Sequence, residues 1–146
     1  MNIDLVNRIS NFLSKIENND FAGKPVDEVT INEAEKILNV SFDKDYKEFL
    51  TLFGGSFVGV PIYGFNNCEM LSNETVIDLT NDFRESYSVD NRFQVIQDSY
   101  VITIDGSGNP VIINKNGEII IYYHGSDDEE VIATSFEELI ENNFFE

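Results

Sequence analysis

The sequence predicts an α+β domain, and three observations carry the prediction. Apolar residues recur at helical spacing through the first third of the chain, strand-like runs crowd positions 93–123, and a capped helix closes the sequence. At 146 residues, 42% hydrophobic and 12% aromatic, the chain is expected to bury one core, as a single domain spanning residues 1–146. It has no internal repeat, low-complexity tract or linker.

Taken in order, Leu5, Ile9, Phe12, Leu13 and Ile16 share one face of a first helix. Gly23 and Pro25 punctuate the loop after it. Thr30, with Glu33 three residues on, is expected to open a second helix as a capping box. Its buried face is Ile31, Ala34, Ile37 and Leu38, and Asn39 ends it. A third, short helix carries Tyr46, Phe49, Leu50 and Phe53 between an Asp43 N-cap and a left-handed Gly54. "VPIYGF" reads as a short strand in which Pro61 argues for an edge. Residues 74–86 form a helix through Val76, Leu79 and Phe83, with Asp78 and Asp82 repelling one another on its outer face.

The second half changes period. "FQVIQ" and "YVITI" are strand-like, and "DGSGN" is a turn. In "PVIINKNGEIIIYYHG", Asn116-Gly117 suits a type I′ turn that pairs Lys115 with Glu118. That register puts Val111, Ile113, Ile120 and Tyr122 on one face, and Ile112, Ile119, Ile121 and Tyr123 on the other. Both faces are apolar, so the hairpin is expected to be covered on both sides. The loop acids "SDDEE" follow, then a strand "VIAT" and a last helix capped by Ser135 and Glu138.

Charge is the strongest compositional signal. The formal net charge is −18. Residues 1–47 hold six Lys/Arg against nine Asp/Glu, whereas residues 48–146 hold three against eighteen. Such a field repels nucleic acid, anionic lipid and nucleotides and attracts basic proteins. Solubility alone is the competing explanation. The longest apolar run, residues 119–123, is too short to span a bilayer, and the start lacks the features of a secretory signal. A cytoplasmic location is the expectation.

The motifs that resemble reactive sites fall short of them. Gly54 and Gly59 have P-loop spacing, but Val60-Pro61 replaces the Lys-Ser/Thr pair, and no helix N-terminus follows. Asp105, Ser107 and Asn109 echo a calcium loop, yet its sixth position is Pro110 and its twelfth is Asn116. A lone His124 and a lone Cys68 rule out a multi-histidine or multi-thiolate metal site, and no nucleophile elbow accompanies them. No enzyme, cofactor or metal is expected. The consecutive acids Asp127, Asp128, Glu129 and Glu130 read either as a solvated loop or as a contact patch for a basic partner.

"INEAEKILNVSFDKDYKEFLTLFGG" resembles the N-terminal signature of the SUKH superfamily through Ile31, Ala34, Glu35, Leu38, Asp45, Tyr46, Phe49, Leu50, Gly54 and Gly55. "PIYGF", "DGSGNPVIIN" (Asp105, Gly108, Asn109) and "ATSFEELIEN" (Ser135, Phe136, Leu139, Ile140) follow in the family's order, covering residues 28–142. Ser41-Phe42 stands where the family usually has Leu-Pro. The resemblance implies a curved antiparallel sheet with helices packed on it. It also implies a bacterial immunity protein that neutralises a cognate toxin, often a nuclease; fungal members instead regulate cell-wall assembly. The expected function is therefore toxin neutralisation by acidic surface complementarity, through Asp127, Asp128, Glu129, Glu130, Asp78 and Asp82. The alternative is an intracellular regulatory or scaffold module that binds another protein.

Overall fold

A computed structural model describes residues 1–145. Three helices come first: α1 (Ile3–Ser14), α2 (Glu28–Leu38) and α3 (Lys44–Phe53). A two-stranded hairpin, β1 (Ser56–Phe57) and β2 (Pro61–Ile62), leads into α4 (Val76–Ser88). The main sheet is an antiparallel meander of β3 (Tyr100–Ile104), β4 (Pro110–Ile113), β5 (Ile119–Tyr123) and β6 (Asp128–Ala133), and α5 (Phe136–Asn143) closes the chain.

The sheet is buried on both faces, as its apolar alternation requires. One face, called A here, carries Tyr100, Ile102, Val111, Ile113, Ile119 and Ile121 against α1, α2, α3 and α5. Here Tyr46, Phe49 and Phe136 pack edge to face, with ring centroids 5.5–5.6 Å apart. The buried Tyr46 hydroxyl donates to the Tyr63 carbonyl, and the Asp43 N–H donates to the Tyr100 hydroxyl. The other face, B, carries Val101, Ile112, Ile120 and Tyr122 under Leu79 and Tyr87 of α4, with Phe93 and Ile96 beside them.

The hairpin register differs from the sequence expectation by one residue. Observed pairs are Val111↔Ile121, Ile112↔Ile120 and Ile113↔Ile119, so Asn114, not Lys115, faces Glu118 across the turn. The cause lies in Asn114. Its side-chain oxygen accepts from the Asn116 and Glu118 N–H groups, while its carbonyl accepts from Gly117 N–H. This makes a three-residue loop ending at Gly117 with φ +79°, a conformation glycine adopts freely. The slip exchanges the two faces of β5 relative to the expectation: Ile119 and Ile121 join Val111 and Ile113, and Ile120 and Tyr122 join Ile112.

Other expectations also needed correction. Ile16 falls in a 3-10 turn after α1 and is 85% exposed. Asp27, not Thr30, caps α2 by accepting from Thr30 N–H, because the helix starts three residues earlier; Ile37 on it is 60% exposed. Gly54 ends α3 at positive φ, but its ψ of −168° lies outside the left-handed helical well. "FQVIQ" is no strand: Gln94–Asp98 is a 3-10 turn that drops Ile96 into face B. "SDDEE" is not all loop, since Asp128, Glu129 and Glu130 begin β6. In α5, Ser135 caps as expected, but Glu138 returns to Thr134 N–H instead of Ser135.

Arg84 of α4 ties the layers together. Its guanidinium donates to the carbonyls of Leu38 (2.8 Å), Ser99 (2.9 Å) and Ile96 (3.1 Å), joining the end of α2 to the lead-in to β3. Burial lowers its pKa, with Asp98 partly compensating. Replacing Arg84 with Met keeps the stem but strands three carbonyls. It is expected to lower unfolding stability by about 2–4 kcal/mol, read as a drop in denaturant midpoint. An unchanged midpoint would show that these bonds are not structural.

Candidate partner-binding surface

The strand pleat sorts the β6 acids onto opposite faces. Asp128 pairs with Tyr123 and Glu130 with Ile121, so both share face A. Glu129 pairs with Tyr122 and shares face B. All three carboxylates are on exposed residues of the sheet's terminal strand, where charge also discourages edge-to-edge pairing with another chain. Sequence reasoning grouped them as one loop patch, but the structure divides them.

Asp127 occupies the β5–β6 turn at φ +59°, which a short polar side chain tolerates. It is not a free acid. Its carboxylate bonds Arg92 Nη2 at 2.6 Å and accepts from the Tyr122 hydroxyl. The Arg92 guanidinium carbon lies 5.3 Å from the Tyr87 ring centroid and 5.8 Å from that of Tyr122. Phe93 stacks on Tyr122 at 4.3 Å. Arg92 thus latches the β5–β6 turn to the end of α4. The Tyr122 hydroxyl, and then Arg92, hold the Asp127 carboxyl below its ordinary pKa. The counter-charge that the acidic run requires is supplied, for Asp127, from within the chain.

Asp78 and Asp82 lie elsewhere. Both are exposed on α4, whose Thr80 hydroxyl accepts from Val101 N–H of β3, the edge strand opposite β6. Asp78 is engaged as half of a capping box, accepting from Thr75 N–H at 3.0 Å. The six expected acids therefore do not form one surface.

Face A of the sheet instead exposes a cleft where the helical cover stops. It has a volume of about 550 Å³ and is lined by Val60, Tyr63, Val111, Ile121, Ile132 and Leu139 among others. Gly59 lets the β1–β2 turn reach α5 there: a Cβ at this position would meet the Asn143 carbonyl at 1.9 Å, and φ is +81°. Asp105 also lines the cleft, and its charge acts on Tyr123, which shares face A with Glu130. The Tyr123 hydroxyl donates to Glu130 at 2.8 Å, and this bond, with lesser effects of burial, Glu130 charge and the Asp105 charge, raises its pKa. Burial would raise the Asp105 carboxyl, but bonds from Asn109 and Ser107 outweigh it and leave the pKa lowered. That saturation is also why "DGSGN" works as a turn. His124 is exposed, its Nε2 3.0 Å from the Ser107 carbonyl, and Cys68 is buried.

Sequence reasoning missed the Arg92 latch and the cleft. The signal for the latch is a basic residue between Asn91 and Phe93 in an acidic segment; the signal for the cleft is Thr103 inside an otherwise apolar strand.

A helical layer on one face of an antiparallel meander, a helix on the other and an acidic edge strand define an α+β domain. The sequence profile of the SMI1 / KNR4 family (SUKH-1) matches residues 25–142, and the chain belongs to this family. No curated protein matches the chain at a significant level. Among the described residues, no helix is long and apolar enough to cross a membrane.

The Asp127 latch generates a pH prediction. Its native pKa is depressed, so its contribution is present above the unfolded value of about 3.9 and is lost as pH falls through the native value. Asp127→Asn should flatten the acid side of the stability profile below about pH 4, relative to the parent chain, in urea midpoints measured across pH. Parallel profiles would remove Asp127 from the linkage.

Proposed function

We propose that this protein is an immunity protein that binds and neutralises a basic toxin, acting by association and not by catalysis. Family membership supports the general role. The observation that carries the finer reading is the charge: −18 overall, with Asp128, Glu129 and Glu130 exposed along one edge strand. A nuclease must be basic to hold a phosphate backbone, so an acidic inhibitor is steered to the surface it has to block. Asp128 and Glu130 are the principal contacts in this reading, and Glu129 flanks them. Asp127 positions the strand through Arg92. Asp78 and Asp82 add to the long-range field.

Co-expression with the toxin encoded beside the gene tests the proposal. The parent chain is expected to protect cells and to form a complex that high salt weakens at least tenfold, chiefly through the association rate. Asp128→Lys with Glu130→Lys should abolish protection while leaving the fold intact. Cell death with the parent chain, or a complex indifferent to salt and to both substitutions, would overturn it.

A further inference from the structure

The cleft on face A is the work of two bulges. In β3 the register shifts between Val101 and Thr103, and in the β5–β6 pair it shifts opposite Ile119 and Ile120. A bulge turns two successive residues to one side of the sheet. Ile102 and Thr103 therefore both address face A, as do Ile132 and Ala133, and Thr103 and Ile132 become opposite walls of the cleft. Thr103 is only 2% exposed, and its hydroxyl is the one buried side-chain polar atom without a hydrogen-bond partner among the described residues. A buried, unpaired hydroxyl is costly, and a valine would fill the same space. The remaining wall is largely apolar apart from Asp105, and Glu130 lies on the same face of the sheet, paired with the lining residue Ile121.

The geometry points to an anchor pocket in this cleft for one tryptophan or tyrosine side chain of the partner protein, carried on a segment rich in Lys or Arg. This deepens the binding reading above and rests on it. An aromatic ring fills an apolar cleft of this size, and a χ1 turn of Thr103 as the ring enters would bring its sealed hydroxyl to an indole N–H or phenol O–H, the partner it lacks. Basic neighbours of that ring meet Asp105, Asp128 and Glu130, so the occupant is chosen by charge complementarity. Such a buried aromatic anchor within a polar rim is the usual composition of an interface hot spot. The edge-strand acids would then set the rate of encounter, and the cleft the lifetime of the complex.

The chain contains no tryptophan, so the fluorescence of a tryptophan probe reports its own environment. Acetyl-Lys-Trp-Lys-amide is the probe, compared with its Lys-Ala-Lys and Glu-Trp-Glu counterparts and with N-acetyltryptophanamide. The first is expected to bind most tightly, with blue-shifted emission and with methyl resonances of Val111, Ile121, Ile132 and Leu139 displaced. Thr103→Val should weaken it about fivefold, as for loss of one hydrogen bond, at unchanged or higher stability. Asp128→Asn with Glu130→Gln should erase its advantage over the Glu-Trp-Glu peptide. Equal binding of the Lys-Ala-Lys peptide, or indifference to Thr103→Val, would overturn the anchor. N-acetyltryptophanamide binding as tightly as the basic peptide would overturn it in favour of a small-molecule site. Toxin binding that survives Thr103→Val but fails on charge reversal of β6 would reject the anchor alone. Peptide binding without any toxin complex would reject the immunity reading alone.

Discussion

The β4–β5 register constrains everything built on the sheet. Asn114 accepts from two N–H groups beyond it, and Gly117 takes a positive φ, so the turn holds three residues. Because side chains alternate with period two, that single residue decides which isoleucines meet the helical layer and which meet α4. It reaches further, to β6, because each acid inherits the face of its β5 partner. Glu130 shares the face of the cleft since it stands opposite Ile121; a slip would move it to the other side.

The two faces then perform different tasks. Face B ends in an aromatic and arginine cluster in which Tyr87, Phe93, Tyr122 and Arg92 hold the β5–β6 turn. Face A ends in a cleft lined at one point by Asp105. The first supports the second, because β6 is paired along one side only and Arg92 holds the turn that leads into it. An acidic edge strand held by an internal arginine gains protection from edge-to-edge association and still presents charge to solvent.

Much of this was legible in the sequence, for identifiable reasons. Helices α1, α3 and α5 declare themselves through apolar spacing, α3 and α5 also through the N-caps Asp43 and Ser135, and the meander through its isoleucine runs. The fully apolar hairpin signalled burial on both sides without fixing its register. "NG" favours a two-residue turn in isolation, and only the hydrogen bonds of Asn114 explain why the loop is longer. Gln94–Asp98 has strand composition, yet it follows Phe93 at φ +42° and anchors Ile96 instead of pairing. The acids of the candidate site stood out by composition, but their division between faces depends on pairing, and the cleft depends on bulges whose one local sign is Thr103 in an otherwise apolar strand.

The most direct test of this account is the β4–β5 register itself, read from cross-strand Hα and amide contacts by NMR. The account predicts Ile112 opposite Ile120, and Ile121 opposite both Val111 and Glu130. Contacts that instead put Ile112 opposite Ile121, with Lys115 facing Glu118, would contradict it, since Glu130 would then leave the face that carries the cleft.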